Sequence, residues 1–535
     1  MAKRKEQEKK TEEKIDISGK STIGRRTLLK SLAGIPVLGV FAFELLKKLS
    51  YDQEIRNKKN KVLSELGLEN INEPSVVKSS SSGAKRDLLR VGIVGYGSRA
   101  ASHANGLGFM HPEDVEKRTK NNTLDNWLAQ ENLNVALTGI CDVFDLHAER
   151  GLATARNEVH PGNNSAVNLP VKRYRHYHEM LEDKDIDAVM IATPDFHHAQ
   201  MTIDAVEAGK HVYCEKSLVR TEDEIYKVYD AVKNSDIVFQ LGHQITKNVI
   251  YQQAKEILDR GILGKITLIE TTSNRNTSSG AWIRDRNANG NSKPGNEKTI
   301  DWAQWLGSSS KVPFSLDRYY NWTKWFDYGM GLISQLFTHE YDAVNQILRI
   351  GIPKSAVSLG GIYYWKDGRE IPDVLQCVFD YPSRDLTLMY SASLANSRQR
   401  GRVFMGHDAS MELGSSMVIT ADNNSTRYKE LIKNGIIETT NPMISVNQEE
   451  NVDAVTSATS KYYSSRGLTT TSIKGQQVDL TYLHIKEWID CIRNGEVPTA
   501  NIERAFEESI TCVMANKSYL EKRRVEWDSI KKKII

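Results

Sequence analysis

The 535-residue sequence has little cysteine, no excess of one charge and no long apolar run. Its five cysteines lie far apart, with no Cys-x-x-Cys pair, so the sequence predicts buried thiols and no metal site. With 71 basic and 68 acidic residues, the chain lacks the overall positive field that attracts nucleic acid. The 39% hydrophobic content is typical of a soluble globular protein, and the length is sufficient for two packed domains. We therefore expect a small-molecule ligand and no nucleic acid.

The beginning of the chain has the pattern of a targeting segment and a tether. Arg25 and Arg26 precede an apolar run from Ser31 to Phe43, which is shorter than the ~20 residues that span a bilayer. This order resembles the twin-arginine signal, which the export machinery reads as an address. We expect residues 1–50 to direct export to the periplasm. Because no small-x-small cleavage site follows, retention as a membrane anchor is an alternative, as is a solvated basic helix end. Residues 51–87 are polar and predict a flexible linker.

A strand and a glycine-rich turn follow the linker. Residues 88–94 form a short apolar run, typical of a buried parallel strand, and lead into a Gly-x-Gly-x-x-Ala pattern. In such a turn, the first glycine permits the tight bend and the second lets the backbone approach a pyrophosphate at the helix N-terminus. An ordinary strand, turn and helix is the alternative for this pattern taken alone. The residues predicted to bind a dinucleotide here are Gly95, Tyr96, Gly97, Ser98, Arg99 and Ala100.

An acidic residue follows the second strand. The apolar run 135–141 ends in Asp142, where a carboxylate accepts hydrogen bonds from the ribose of NAD. A 2′-phosphate would face like charge there, so NAD is favoured over NADP. The distance in sequence from the turn to this acid is longer than the usual ~20 residues. We attribute the difference to an inserted polar helical segment over 111–134.

Strands and helices then alternate, which predicts a parallel, doubly wound sheet in a Rossmann domain over 88–216. Strands are predicted at 187–192 and 211–214, with a helix over 198–207 between them. Such sheets bind ligands at the carboxyl ends of their strands. The residues at those ends that we predict to bind the cofactor are Thr193, Pro194, Glu215 and Lys216.

From about residue 88 to residue 528, the chain resembles the glucose-fructose oxidoreductase and inositol dehydrogenase family, Gfo/Idh/MocA, and within it exported bacterial members. The motifs that carry the resemblance, besides Asp142, are VGIVGYGSRA, IATPDFHH, AGKHVYCEKSL, DRGILGKI, GMGLISQLFTHEYD and HIKEWIDCIRNGEVPTA. The resemblance implies an α/β fold with a second, α+β domain over 217–535, built on a mainly antiparallel open sheet. That domain is expected to bind a sugar or polyol and to form dimers or tetramers. The Ser/Thr/Asn-rich stretch 421–476 is interpreted as a surface insertion.

The resemblance also implies catalytic roles. Lys216 corresponds to the lysine that contacts both cofactor and substrate hydroxyl, although Ser217 replaces the proline that follows it in the family. His339 corresponds to the base, but the family's aspartate four residues earlier is Gln335 here, and glutamine accepts no proton. Asp342 is then expected to hold the imidazole in one tautomer. A satisfied helix histidine is the alternative interpretation of His339.

Further residues are expected near the ligands. His197 follows the position where the family places a residue beside the nicotinamide. An aromatic patch over 319–328 is interpreted either as a sugar-stacking surface or as core. The residues predicted to contact substrate are Gln244, Arg275, Arg318, Tyr328, Gln335 and Asp342.

Three functions are compatible with this sequence. The first is an NAD-dependent oxidoreductase that transfers hydride between a sugar or polyol hydroxyl and the cofactor. The second is an NAD-requiring glycosidase, in which transient oxidation of the sugar permits elimination of the aglycone. The third is a non-catalytic sugar-binding protein, for which the replacements Ser217 and Gln335 are the argument.

Overall fold

The structure is a computed structural model, in which residues 53, 57, 60–68, 87–163, 169–276, 283–287, 291–414, 416–447, 470–473 and 476–535 are described. The predicted export signal over 1–50, and most of the predicted linker, lie outside these residues. Residues 53, 57 and 60–65 are helical. No helix within the described ranges is long and apolar enough to cross a membrane.

Six of the described strands form the parallel sheet that the sequence predicts, in the order β3-β2-β1-β4-β5-β6. They are β1 (Leu89–Val94), β2 (Val135–Cys141), β3 (Lys172–Tyr174), β4 (Ala188–Ile191), β5 (His211–Cys214) and β6 (Phe239–Leu241). Neighbouring strands pair in parallel throughout. The sheet continues past the boundary predicted at residue 216, because β6 pairs with β5.

Helices connect and cover these strands. They are α1 (Ser98–Leu107), α2 (Pro112–Lys120), α3 (Leu124–Leu128), α4 (Asp145–Ala155), α5 (Tyr177–Glu182), α6 (Asp195–Glu207), α7 (Glu222–Lys233) and α8 (Val249–Asp259). The predicted insertion over 111–134 contains α2 and α3. Helix α6 begins at Asp195, earlier than the predicted 198, because Pro194 is its N-cap and an acidic residue in the first turn suits the helix dipole.

Ten of the described strands form the sheet of the second domain. Their order is β14-β13-β12-β11-β7-β10-β9-β8-β17-β18. They are β7 (Ile266–Asn274), β8 (Ser355–Gly361), β9 (Val374–Tyr381), β10 (Leu386–Ser393), β11 (Arg402–Gly406), β12 (Ala409–Leu413), β13 (Ser416–Ala421), β14 (Ile444–Asn447), β17 (Val525–Asp528) and β18 (Lys533–Ile534). Only β7 and β10 pair in parallel among these described strands, so the sheet is mainly antiparallel, as expected. A separate hairpin joins β15 (Thr470–Ile473) to β16 (Gln476–Asp479).

The interpretation of 421–476 as a surface insertion is wrong for its first part. Strand β14 pairs with β13 and extends the second sheet, and Tyr428, Met443 and Ile444 are buried. The polar composition of the stretch hides this short apolar strand. Residues 448–469 lie outside the described residues.

Six further α-helices lie among the described residues of the second domain and the segments around it. They are α9 (Trp302–Leu306), α10 (Leu316–Tyr320), α11 (Thr338–Leu348), α12 (Lys429–Lys433), α13 (Leu480–Asn494) and α14 (Ile502–Glu521). A π-helical turn over Ile333–Phe337 leads directly into α11. This turn places Gln335 and His339 on the second-domain side of a cleft at the carboxyl ends of β1, β2, β4 and β5. All five cysteines are buried and free, as predicted.

Helix α13 returns from the end of the chain to the first domain. Its residues Tyr482, Ile485 and Trp488 belong to the same buried apolar cluster as β1, β2 and α1. The Trp488 indole is fully buried, with its ring 5.7 Å from that of Tyr213 in an edge-to-face arrangement. The core of the dinucleotide-type domain therefore depends on residues far along the sequence.

We expect Trp488→Ala to lower the free energy of unfolding by about 3–5 kcal/mol, because it leaves a large cavity in this shared core. Urea denaturation measures the change, and the exposed replacement Glu496→Ala is the control. A loss below about 1 kcal/mol would show that α13 does not contribute to the core as described.

Candidate active site

A cleft of about 1110 Å³ lies at the carboxyl edge of the parallel sheet. Most of the predicted cofactor residues line it. It is also lined by Gln244, Arg275 and Gln335, which the sequence predicts to contact substrate, and by His339, the predicted base. The predicted cofactor residues that line the cleft are Gly95, Gly97, Ser98, Arg99, Asp142, Thr193, Pro194, His197, Glu215 and Lys216. Of the predicted turn, Tyr96 and Ala100 are instead buried in the core.

The glycine turn fits a dinucleotide pyrophosphate. Gly95 has φ +82°, and a Cβ there would lie 2.9 Å from the Thr193 methyl group, so only glycine is accommodated. At Gly97, a Cβ would meet no atom within 4 Å, so this backbone faces open space. No side chain caps the N-terminus of α1, which leaves its first N–H groups available for an anion.

Asp142 is held rigidly beside this turn. Its two carboxylate oxygens accept hydrogen bonds from the backbone N–H groups of Tyr96, at 2.5 Å, and Phe144, at 2.7 Å. The side chain is buried at the end of β2 and lines the cleft. A carboxylate oriented in this way suits the ribose hydroxyls of NAD and disfavours the phosphate of NADP.

Glu215 anchors a second group of side chains. Its Oε1 lies 2.9 Å from His103 Nε2 and accepts a hydrogen bond from Gln244 Nε2 at 2.7 Å. Burial acts to raise the pKa of Glu215, but Arg99 and His103 outweigh it and hold this pKa below the usual range. Gln244, predicted to contact substrate, therefore supports Glu215, and its amide also bonds to the Tyr213 hydroxyl at 2.7 Å.

Lys216 interacts electrostatically with a carboxylate that sequence reasoning missed. Asp195, buried at the start of α6, accepts hydrogen bonds from Gln335 Nε2 at 2.9 and 3.1 Å. Lys216 Nζ donates long hydrogen bonds to the carbonyl oxygens of Ser334, at 3.4 Å, and Gln335, at 3.5 Å. Burial lowers the pKa of Lys216, whereas the charges of Asp195 and Glu215 act to raise it. Asp195 therefore places a carboxylate next to Gln335, the residue that replaces the aspartate of the family.

His339 is a buried histidine at the cleft. Burial, followed by the charge of Lys216, lowers its pKa well below the usual value, so the imidazole is neutral at neutral pH. Its Nδ1 has no hydrogen-bond partner among the described residues. The prediction that Asp342 holds the His339 imidazole in one tautomer is wrong. Asp342 instead faces His243, which lies just after β6, with 3.8 Å between Asp342 Oδ2 and His243 Nδ1. His243 in turn lies 2.6 Å from Glu508, and its ring contacts that of His339 edge to face.

The aromatic patch is divided between cleft and core. Tyr319, Tyr320 and Trp322 line the cleft. Arg318 and Tyr328, which the sequence predicts to contact substrate, lie outside the lining of this cleft. Arg318 donates a hydrogen bond to the buried Tyr328 hydroxyl at 3.0 Å and lies 4.8 Å over the Trp325 ring, outside the cleft lining. The sequence alone does not show whether an arginine and a tyrosine lie at the surface, contact a sugar or pack against each other, as these two residues do.

Two histidines follow Thr193 and Pro194. His197 lines the cleft, with Nε2 2.8 Å from the Trp305 carbonyl oxygen, and burial lowers its pKa to about 4. The His198 ring lies between the carbonyl oxygens of Thr193, at 2.8 Å, and Ser217, at 2.7 Å. His198 therefore links the two loops that carry Asp195 and Lys216.

Sequence reasoning also missed Arg284, which lines the cleft on the second-domain side. For Asp195 a signal was present, since it is the acidic residue directly after a strand end of the parallel sheet. For Arg284 no pattern in the sequence distinguishes it from a surface arginine.

Residues 89–243 match the GFO_IDH_MocA family, described as an oxidoreductase family with an NAD-binding Rossmann fold. The chain is 30% identical over 187 residues to levoglucosan dehydrogenase of Pseudarthrobacter phenanthrenivorans, which covers 35% of this chain and 41% of that protein. It is 27% identical over 215 residues to an α-N-acetylgalactosaminidase of Shewanella oneidensis, covering 37% and 39%. The aligned stretch thus spans about two-fifths of these relatives.

The fold is similar to a solved structure over most of the chain. A levoglucosan dehydrogenase structure, in complex with NADH and L-sorbose, superposes with a TM-score of 0.55 at 16% identity. The superposition covers 82% of this chain and 99% of that one, so it includes both domains. Residues 89–243 thus match the NAD-binding Rossmann domain of the Gfo/Idh/MocA oxidoreductases, and they are joined here to a second domain with a mainly antiparallel sheet.

Proposed function

We propose that this protein is an NAD-dependent oxidoreductase that acts on a hydroxyl group of a sugar or polyol. The observation that carries the proposal is the presence, in one cleft with the NAD-binding turn, of a buried lysine and a neutral histidine. Levoglucosan dehydrogenase, a relative and a structural neighbour, supports the substrate class.

The two side chains have complementary tasks. When bound, NAD supplies the acceptor for the hydride that leaves the substrate carbon. His339 accepts the hydroxyl proton, because its neutral imidazole has a free nitrogen. The Lys216 ammonium donates a hydrogen bond to the same oxygen and stabilises the negative charge that develops on it.

Asp195 acts on Lys216 as a positioning residue. Burial lowers the pKa of Lys216, and the negative charge of Asp195 opposes this effect and so favours the ammonium form. Gln335 holds this carboxylate through its amide, which explains why glutamine is accommodated where the family has aspartate. One carboxylate is retained beside the lysine, but it comes from the other domain.

We further propose that the protein is exported through the twin-arginine pathway and acts in the periplasm, with the N-terminal segment as a possible membrane anchor. The Arg25-Arg26 pair and the apolar run after it support this proposal. Assembly into dimers or tetramers through the second domain is proposed on the resemblance to the family.

A second candidate function is an NAD-requiring glycosidase. The similarity to an α-N-acetylgalactosaminidase favours it, because the same proton acceptor and the same lysine would serve transient oxidation of a sugar. The two functions differ in their products. We expect the full-length protein to form NADH from free sugars, sugar acids or polyols and to leave chromogenic glycosides intact. Glycoside cleavage without net NADH would establish the glycosidase instead.

We expect Lys216→Met to reduce the rate of NADH formation by about 10²-fold or more, because the developing charge loses its partner. NAD affinity, measured by calorimetry, should change little. Lys227→Met, on the exposed surface of α7, is the matched control. Turnover retained by Lys216→Met would contradict the role given to this lysine.

We expect Asp195→Asn to lower kcat by about tenfold and to move the alkaline limb of the pH-rate profile to lower pH. The shift has this sign because the carboxylate raises the pKa of Lys216, so that without it the ammonium loses its proton at lower pH. The acid limb, set by His339, should lie below pH 6.5 in both proteins because the pKa of this histidine is lowered.

A rescue variant separates charge from structure. In Asp195→Asn combined with Gln335→Asp, one carboxylate again lies beside Lys216, and we expect the alkaline limb to return towards its original position. Asp230→Asn, on the exposed surface of α7, controls for the loss of one acid. An unchanged alkaline limb in Asp195→Asn would exclude the electrostatic role of Asp195.

A further inference from the structure

The two sides of the cleft differ in charge, because three acids and the two bases Arg99 and Lys216 line the Rossmann side, whereas only bases are contributed by the other side among the described residues. The acids that line it, Asp142, Asp195 and Glu215, all lie at strand ends of the Rossmann domain. The side formed after residue 243 contributes Arg275, Arg284 and Lys293 and no acidic residue among those described. The ligand that binds on that side therefore meets positive charge.

Both arginines have anchored backbones and uncommitted guanidinium groups. Arg275 N–H donates to the Ser393 carbonyl oxygen at 2.8 Å, and Arg284 N–H donates to Asn321 Oδ1 at 2.5 Å. Neither side chain makes an ion pair within the described part of the chain. Lys293 has its ammonium 5.3 Å over the Tyr320 ring. Burial, and then the charge of Arg284, lower the pKa of Lys293, whereas Asp285 acts to raise it.

Two of the acids near the arginines are already engaged, whereas Asp285, which follows Arg284, has an Oδ1 with no hydrogen-bond partner among the described residues and acts on Lys293. Glu340 acts electrostatically on Arg275. It already pairs with Arg402 Nε at 2.6 Å and accepts a hydrogen bond from Ser273 at 2.9 Å. Asp195, which acts on Arg284, is bound by Gln335. The stretches 277–282 and 288–290, which flank Arg284 in sequence and lie outside the described residues, contain no Asp or Glu.

Arg275 is exposed and Arg284 is half-buried, so both guanidinium groups are accessible to a ligand in the cleft. Burial, and then the repulsion of Arg275, lower the pKa of Arg284 to about 10, which means that the two like charges act on each other. The pyrophosphate of NAD has its own site at the glycine turn and Arg99. A neutral polyol would leave both guanidinium groups without a counter-charge, whereas a carboxylate or phosphate accepts the paired hydrogen bonds that arginine offers.

We propose that the substrate of this site is an anionic sugar, a sugar acid or a sugar phosphate, whose negative group binds Arg275 and Arg284 while a hydroxyl faces Lys216 and His339. This inference rests on the proposed oxidoreductase function for the hydroxyl, but the anion site stands on the charges alone. Trp322 and Tyr320 line the same part of the cleft and offer apolar faces to the sugar ring.

Calorimetry with the NAD-loaded full-length protein tests the proposal, using pairs that differ in charge. The probes are D-glucuronate against its neutral amide, D-glucose 6-phosphate against D-glucose, and the same pairs in the galacto configuration. We expect at least one anionic member to bind about tenfold or more tightly than its neutral partner, and the preference to decrease with salt. The carboxylate and phosphate arms distinguish a sugar acid from a sugar phosphate.

The variants Arg275→Gln and Arg284→Gln should abolish the preference and leave binding of NAD unchanged. Arg398→Gln, an exposed arginine outside the cleft lining, is the control for the loss of one positive charge. A panel with no preference for the anionic members overturns the proposal. Loss of NAD affinity in the variants also overturns it, because the arginines would then serve the cofactor.

NADH formation with the same compounds distinguishes the two proposals. Preferential binding of an anionic sugar without NADH formation would support the anion site and contradict the oxidoreductase function. NADH formation from neutral sugars only, with no effect of the arginine variants, would contradict the anion site and support the function.

Discussion

The electrostatic interaction of the buried Lys216 with Asp195 and Glu215 constrains the rest of the active site. An isolated buried charge costs several kcal/mol in proteins, and pairing offsets this cost only when hydrogen bonds satisfy the remaining atoms. Asp195 is contacted by Gln335. Glu215 is contacted by Arg99, His103 and Gln244. The loops at the ends of β4 and β5 and the π-helical turn are therefore held together by one set of charges.

The parts of the fold that were predictable are those with a regular pattern. Apolar runs between glycine and proline signals located the parallel strands, and Asp142 was found because its role requires a fixed place at a strand end. The second sheet came from the family resemblance, since its alternating strands are weak signals alone. Strand β14 was missed because it is short and lies in a polar stretch.

The differences between the predicted and the observed site share one cause. Asp195, Arg318 and Asp342 are charged residues whose partners are distant in sequence, at Gln335, Tyr328 and His243. A motif fixes only the spacing along one element, as for His339 and Gln335. The carboxylate that replaces the missing aspartate comes from the opposite domain, so the spacing rule could not locate it. Long-range partners require the packed structure.

The position of α13 affects how the protein is made. The Rossmann core includes residues that the ribosome adds only after most of the second domain, including β7 to β14. The nascent first domain lacks the Trp488 side of its core until then, so its apolar surface stays uncovered while the second domain forms. Domain-by-domain folding during translation is therefore disfavoured for this chain, and a fragment that ends after β6 would expose the cluster that α13 covers.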